Sequence, residues 1–510
     1  MLRNPKLFEI NTRVWIKQFA KGTTLSNIPV DYFKSLADNG IDIVWFMGIW
    51  KTCTNLIDKC CFSVDLISSY SRSLKDWKRE DVIGSPFSID VYEVNPELGD
   101  ISDLIELRNT LNSLGIKLML DFIPNHFGAD SEILMMNPEI FLKADEEQFK
   151  KDPYTFFKFS NNDKLIFAHG RDPLFPAWTD TVQLNYFSNE ARNFMTDVLL
   201  NLADLCDGVR CDMAMLQLNN IFQNTWLGVL NKKNFQKPKD EFWKFAIDKL
   251  KKKSPDFIFL AEAYWDLEWQ LQQLGFDFTY DKRLTDRIGA NDVQGIKAHL
   301  MAENEFQMRS ARFLENHDEP RSVSKYGKRQ TYAAAVLIST IQGMKFYYDG
   351  QFDGKKTRLP LQLGREPQEK ISDSLREYYY KILSVTKSNI FRDGEWQLAD
   401  TLPASDDNST FENMFAWQWW LNNEFKIIVI NYSDSVGVCR IKFGLRTAAK
   451  KIKIKDELTG DEYLRLADEI RNEGLYVELK AYHSHILSVI DAAPFIDIPS
   501  SSVSLLSDSK

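Results

Sequence analysis

Along the first two-thirds of the chain, short and nearly continuous apolar runs alternate with polar loops and with longer stretches of helical apolar spacing. The runs read as strands: RVWIKQF (13–19), IDIVWFMGIW (41–50), IKLMLDFIPNH (116–126), GVRCDMA (208–214), DFIFLAEAY (256–264), GFDFTY (275–280), ARFLENHD (311–318) and MKFYYDG (344–350). Continuous apolarity is what a strand covered on both faces requires. Helical periodicity between the runs predicts helices over 101–115, 191–205, 240–253 and 331–341. Eight strands alternating with helices close most economically into an α/β fold, a (β/α)8 TIM barrel. An open doubly wound sheet is the runner-up, but no glycine-rich phosphate loop follows the first strand.

One connection breaks the rhythm. Roughly sixty residues separate the third strand from the next helix, far more than the usual strand–helix loop, and they include the aromatic-rich FAHGRDPLFPAWTDTVQLNYF (167–187). This predicts an inserted subdomain after strand 3, over the C-terminal mouth of the barrel. After about residue 395 the pattern changes to alternating strands (MFAWQWWLN, EFKIIVINYSD, VCRIKFG, GLYVELKAYHSHILSV), which predict a C-terminal antiparallel β-domain. The expected organisation is a barrel over 1–126 and 186–394, the insert over 127–185, a β-sandwich over 395–496 and a Ser-rich disordered tail over 497–510.

Bulk properties narrow the function classes. A formal net charge of −9 argues against nucleic acid or an anionic membrane as the main partner. No apolar run reaches the roughly 18 residues that a spanning helix needs. The N-terminal stretch lacks an apolar signal-peptide core, and six cysteines in 510 residues make no disulfide framework, so a cytoplasmic setting is expected. Aromatic residues make up 13% of the chain; most belong in cores, although ligand-binding clefts also use exposed rings.

The apolar strands carry polar residues where chemistry is placed in such a barrel, at their C-terminal ends. In GVRCDMA, Arg210 and Asp212 share one face while Val209, Cys211 and Met213 share the other. Strand three ends in Asp121, Asn125 and His126, strand five carries Glu262, and strand seven ends in Asn316, His317 and Asp318. A single pair of charges is as readily a structural ion pair. Three carboxylates from three strand ends, with two histidines and an arginine, point instead to a catalytic constellation.

These motifs resemble the α-amylase superfamily of glycoside hydrolases (family 13). DFIPNH, GVRCDMA, AEAYW and ENHD are similar to its four ordered signatures, and the resemblance spans roughly residues 10–490. It implies a retaining glycosidase in which Asp212 is the nucleophile, Glu262 the acid and then the base, and Asp318 the stabiliser of the oxocarbenium-like transition state. It further implies that Arg210 keeps Asp212 ionised and that His126 and His317 hold the sugar ring. Trp178 and Trp265 are candidate stacking platforms, and Arg321 belongs to NHDEPR (316–321), a stretch similar to that of oligosaccharide-acting α-glucosidases. Asp121 is expected to brace the loop after strand three rather than to touch substrate.

Departures from the family pattern bear on the substrate. Met215 and Leu216 stand where many relatives carry Lys-His, Ser85 and Pro86 stand where Gly-Tyr is frequent, and strand eight reads FYYDGQFDG. The chemistry requires no cofactor. Asn125 matches a calcium ligand of many relatives and serves equally as a buried amide that needs no metal, so calcium stays open. The leading expectation is hydrolysis of α-1,4-linked glucans or maltooligosaccharides through a covalent glycosyl-enzyme intermediate. The alternatives are a transglycosylase or sugar isomerase of sucrose, trehalose or maltose type on the same site, and a non-catalytic carbohydrate-binding relative. The expected partner is thus an α-glucan or oligosaccharide, with no nucleic acid and no membrane.

Overall fold

The computed structural model describes residues 2–160, 162–490 and 493–494; the tail expected over 497–510 lies outside the described residues. Eight strands form a closed barrel: β1 (Lys6–Asn11), β2 (Ile43–Met47), β3 (Lys117–Phe122), β4 (Gly208–Cys211), β5 (Ile258–Ala261), β6 (Phe278–Tyr280), β7 (Ser310–Arg312) and β8 (Met344–Tyr348). Each pairs in parallel with its neighbours in chain order, and β1 closes the ring on β8. Leu7, Trp45, Met119, Leu260, Phe278, Phe313 and Phe346 belong to one buried cluster, so the barrel interior is a packed core.

The first strand is not where the apolar pattern suggests. Residues 12–18 form two short helical turns, Thr12–Trp15 and Ile16–Gln18, and the strand is KLFEIN at 6–11, buried along its whole length. Trp15 and Phe19, four residues apart, meet edge to face at 5.0 Å, as helical neighbours do. Lys6 and Glu9 disguised the true strand, because a charged residue in a short run masks its continuity. Helices occupy Ile101–Ser113, Asn189–Leu205, Phe242–Lys253 and Lys328–Thr340, within three residues of the expected bounds.

Between β3 and the helix Asn189–Leu205, the long connection folds on short antiparallel ladders, His126–Gly128 with Thr181–Gln183 and Phe156–Phe159 with Asn162–Ala168. The first ladder ties His126 to the far end of the insertion.

The chain divides into two compact units. Among the described residues one lies within 2–282, 308–324 and 343–372, and contains all eight barrel strands; the other lies within 283–307, 325–342, 373–490 and 493–494. The second unit carries an antiparallel six-stranded sheet (395–398, 414–421, 424–431, 484–490, 451–456, 462–466, in spatial order) and a three-stranded sheet (400–402, 437–442, 475–479). Ile427, Val429, Ile452 and Ile454 of the first sheet share a core with Cys439, Ile441 and Val477 of the second. The indoles of Trp417 and Trp419 both donate to the carbonyl of Thr340, which anchors Lys328–Thr340 within this unit. Among the described residues no helix is long and apolar enough to cross a membrane.

Candidate active site

The ends of β4 and β5 run side by side, and their ladder continues one step beyond the strands. Asp212 N–H donates to the carbonyl of Phe122 (2.9 Å) and Glu262 N–H to that of Cys211 (3.1 Å), so backbone bonding fixes both carboxylate-bearing residues. Gly208 is required at the start of β4: a Cβ there would stand 2.8 Å from both the Cβ and the carbonyl oxygen of Ile258 on β5. Directly after Asp212 the chain turns through Met213 in the left-handed conformation (φ 43°, ψ 50°). Its N–H donates to Glu262 Oε2 at 2.7 Å, and the Ala214 N–H donates to the Glu262 carbonyl at 3.0 Å.

Arg210, fully buried, joins the two carboxylates. Its Nη1 lies 2.7 Å from Asp212 Oδ1 and its Nη2 lies 2.8 Å from Glu262 Oε2, while Nε donates to the Tyr280 hydroxyl at 3.3 Å. The guanidinium lies over the rings of Trp45 and Phe87 at 5.1 and 5.3 Å. Tyr264 O–H donates to Glu262 Oε1 at 2.8 Å. Burial pushes the Glu262 carboxyl above its ordinary pKa; Arg210 opposes this, and Asp212 and Asp318 add to it. Burial also raises Asp212, with Arg210 holding it down.

Asp318 behaves in the opposite way. Burial works to raise its pKa, but His317, Arg210 and Arg358 outweigh it and hold the carboxyl well below the usual range. Asn316 Oδ1 accepts the N–H groups of Asp318 and Glu319, both at 2.9 Å, and so shapes the turn. His317 Nε2 lies 3.0 Å from Asp318 Oδ2, and its Nδ1 pairs with Glu9 of β1. Burial opposes the positive charge on His317, yet these two carboxylates raise its pKa well above the ordinary value.

Asp212, Glu262 and Asp318 line one cavity of about 280 Å³ together with His126 and Trp178. His126 and Trp178 pack with ring centroids 5.3 Å apart, and burial lowers the His126 pKa to about 4, so the imidazole is neutral at pH 7. Arg210 and His317 stand behind the carboxylates rather than in the lining. Two expected residues are placed elsewhere. Arg321 binds Glu315 at 2.8 Å and the Asp349 carbonyl at 2.8 Å, and stacks 4.2 Å over Tyr348; its donors serve the protein, away from the cavity lining. Trp265 occupies a left-handed turn with Asp266 (φ 65° and 62°) and is outside the cavity lining. Asp121 accepts Trp45 Nε1 and the Gly48 N–H, so it braces β2 and the turn that follows it rather than the loop after β3, and burial raises its pKa to about 7.

The sequence reading missed Glu9, Tyr264, Tyr280 and Phe87. Glu9 carried a weak signal, a carboxylate between Phe8 and Ile10 in the strand KLFEIN, a stretch that the apolar pattern does not mark as a strand. Phe87 lines the cavity two residues after Ser85, in the stretch where the family's aromatic pattern is altered. The Asn125 amide is already engaged: Gln183 Nε2 donates to Asn125 Oδ1 at 3.0 Å, and Asn125 Nδ2 donates back to Gln183 Oε1 at 3.3 Å. Met215 and Leu216 add no donor atoms to this region. Among the described residues no group of three or more His, Cys, Asp or Glu side chains is arranged to hold an ion.

A family model described as "Alpha amylase, catalytic domain" matches residues 86–378, more than half of the chain. An α-amylase (MalA) of Haloarcula japonica is 25% identical over 53% of this chain and 36% of its own length. A cyclomaltodextrin glucanotransferase of a Bacillus species is 23% identical over 71% of this chain and 48% of its own. The chain thus spans about a third to a half of the length of these relatives. A maltogenic α-amylase (AmyB) of Thermotoga neapolitana superposes with a TM-score of 0.69 at 20% identity, covering 95% of this chain and 98% of that one, which shows a shared fold.

Proposed function

The chain belongs to the α-amylase family, and from that premise we propose that it is a retaining glycosidase that hydrolyses α-1,4-linked glucans or maltooligosaccharides. The observation that carries this reading is the sharing of one guanidinium by Asp212 and Glu262 at a cavity that Asp318 also lines.

Asp318 is held well below the usual carboxylate range, whereas burial raises both Asp212 and Glu262 and Arg210 opposes both, so the division of roles between these two follows the family resemblance. Asp212, as the carboxylate paired with Arg210, attacks the anomeric carbon. Glu262, with its raised pKa, gives its proton to the glycosidic oxygen as the bond to the leaving sugar breaks. The result is a glycosyl ester on Asp212 and a Glu262 carboxylate. Water then gives a proton to Glu262 and attacks the same carbon, and the ester breaks with net retention. The Tyr264 hydroxyl supports Glu262 in both states, because a rotating O–H donates to a carboxylate and accepts from a carboxylic acid. Asp318, ionised throughout, faces the positive charge that develops on the ring and accepts from sugar hydroxyls. Trp178 and the neutral His126, inclined at 58° to one another, offer two ring surfaces to the sugar. The six cysteines, none of them in a disulfide, suit a cytoplasmic setting.

A transfer reaction is the second reading, supported by the resemblance to a cyclomaltodextrin glucanotransferase. In it a sugar hydroxyl replaces water in the second step. The test is a chromatographic product profile from starch, maltotetraose, sucrose and trehalose with wild type and Glu262→Gln. Shorter sugars from wild type, and a loss of about 10²–10⁴-fold in kcat for the variant, are expected. Longer or rearranged sugars move the assignment to transfer or isomerisation. Products formed equally well by Glu262→Gln remove the assigned acid.

A further inference from the structure

The second compact unit contains a cavity of its own, of about 430 Å³, a size typical of small-ligand sites. Its walls include Tyr332 on the helix Lys328–Thr340, Tyr378 on the helix Asp373–Thr386, and Tyr482 in the turn before the strand Ser484–Ile490. It shares no residue with the cavity that holds the three carboxylates.

Three features set it apart from an ordinary surface crevice. The first is the bracing of its rings: Tyr332 and Tyr378 meet edge to face at 4.7 Å, the Tyr332 hydroxyl bonds Ser374, and Tyr482 packs edge to face on Tyr432 at 5.8 Å. The second is backbone strain. Tyr482 has φ +56°, a left-handed conformation that favours glycine or asparagine, in a turn closed by the His483 N–H on the Lys480 carbonyl. A bulky residue kept in such a conformation is a recurrent feature of ligand clamps. The third is Ser484 in the lining: it is 8% exposed, and its hydroxyl has no hydrogen-bond partner. His483 and Arg329, both exposed, add polar groups at the rim.

Braced tyrosine rings with hydroxyls and a guanidinium around them match one ligand chemistry well. A pyranose presents an apolar C–H face that packs on an aromatic ring, and an edge of hydroxyls that donate and accept. We propose that this cavity is a second, non-catalytic carbohydrate site that takes a short stretch of an α-glucan chain; this rests on the reading of the protein as an α-glucan-acting enzyme. A second site on the same chain raises the effective concentration of a long substrate without altering the chemistry at Glu262.

Calorimetric titration of maltotetraose into the full-length Glu262→Gln protein tests this, alongside turnover of maltotetraose by wild type. Two binding events are expected. Adding Tyr482→Gly should weaken one of them by roughly tenfold or more and leave the other unchanged. Glycine suits φ +56° but gives up the ring contact with Tyr432, so the reading is taken from the binding: one event weakened and the other unchanged is a combination that a general loss of fold does not produce. Tyr378→Ala, from a different element, should weaken the same event. Wild-type turnover with only one binding event, or with a second event that survives both substitutions, overturns the second site alone. Absence of any α-glucan turnover by wild type overturns the catalytic reading and this inference with it.

Discussion

Arg210 is buried with a carboxylate on each terminal nitrogen, Asp212 at 2.7 Å and Glu262 at 2.8 Å. Such a cation is costly to bury alone and is stabilised by the charges it serves. Its removal should therefore act in two ways. With Arg210→Met, both carboxyl groups lose their main opposing cation and their pKa values rise further, so both limbs of the kcat/KM profile should move to higher pH. The folded state then binds protons that the unfolded state releases, so stability falls as pH rises. Denaturant melts should show a loss of about 3–5 kcal/mol near pH 7, with part of it recovered near pH 5. A variant with unmoved limbs would show that Arg210 does not set the protonation of the pair. That Arg210 and Asp212 share a strand face was legible from alternation alone. Glu262 as a partner on the other nitrogen was not, because that contact depends on how β4 and β5 lie together.

At the scale of the element, β4 and β5 act as one device. Gly208 lets β4 lie against Ile258, and the two strands carry Asp212 and Glu262 just beyond their ends. Gly208→Ala places a methyl group 2.8 Å from the Ile258 backbone oxygen, a contact that one strand must shift to relieve. The expected outcome is a loss of about 1–3 kcal/mol in stability and a fall in kcat larger than any change in KM, checked by thermal melts and steady-state kinetics. Wild-type kcat and Tm in this variant would show slack between the strands. Element boundaries followed the same logic of local against non-local cause. Strands β2 to β6 and β8 lie within the apolar runs and β7 begins one residue ahead of its run, because burial on both faces writes continuous apolarity into the sequence. Strand β1 was hidden since Lys6 and Glu9 interrupt it, while RVWIKQF, equally apolar, coils into helical turns around Trp15 and Phe19.

For the molecule as a whole, the donor set around Asn125 bears on stability. The reciprocal amide pair of Asn125 and Gln183 ties the end of β3 to the returning strand of the insertion, the position where a family calcium ligand stands. Dialysis against EDTA should leave Tm unchanged. A resident ion held at a hundredfold over its Kd contributes about 2.7 kcal/mol, and its removal would lower Tm by several degrees. A calorimetric drop of that size would show that backbone carbonyls and water complete a cation site which the side chains do not.

The sequence by itself determined the periodicities, and with them the barrel and the antiparallel sheets. It also determined the residue types at four strand ends, and so the class of chemistry. Both are local properties: a strand's alternation and a motif's spacing are written within a dozen residues. Only the tertiary structure decided which groups share a proton, a charge or a wall. His317 meets Glu9 across 308 positions of chain, Arg210 meets Tyr280 across 70, and Arg321, well placed in its motif, is spent on Glu315 and a carbonyl of the loop after β8. Closing the barrel brings β1 close to the residues that follow β7, and no local pattern encodes which side chains then come within hydrogen-bonding distance.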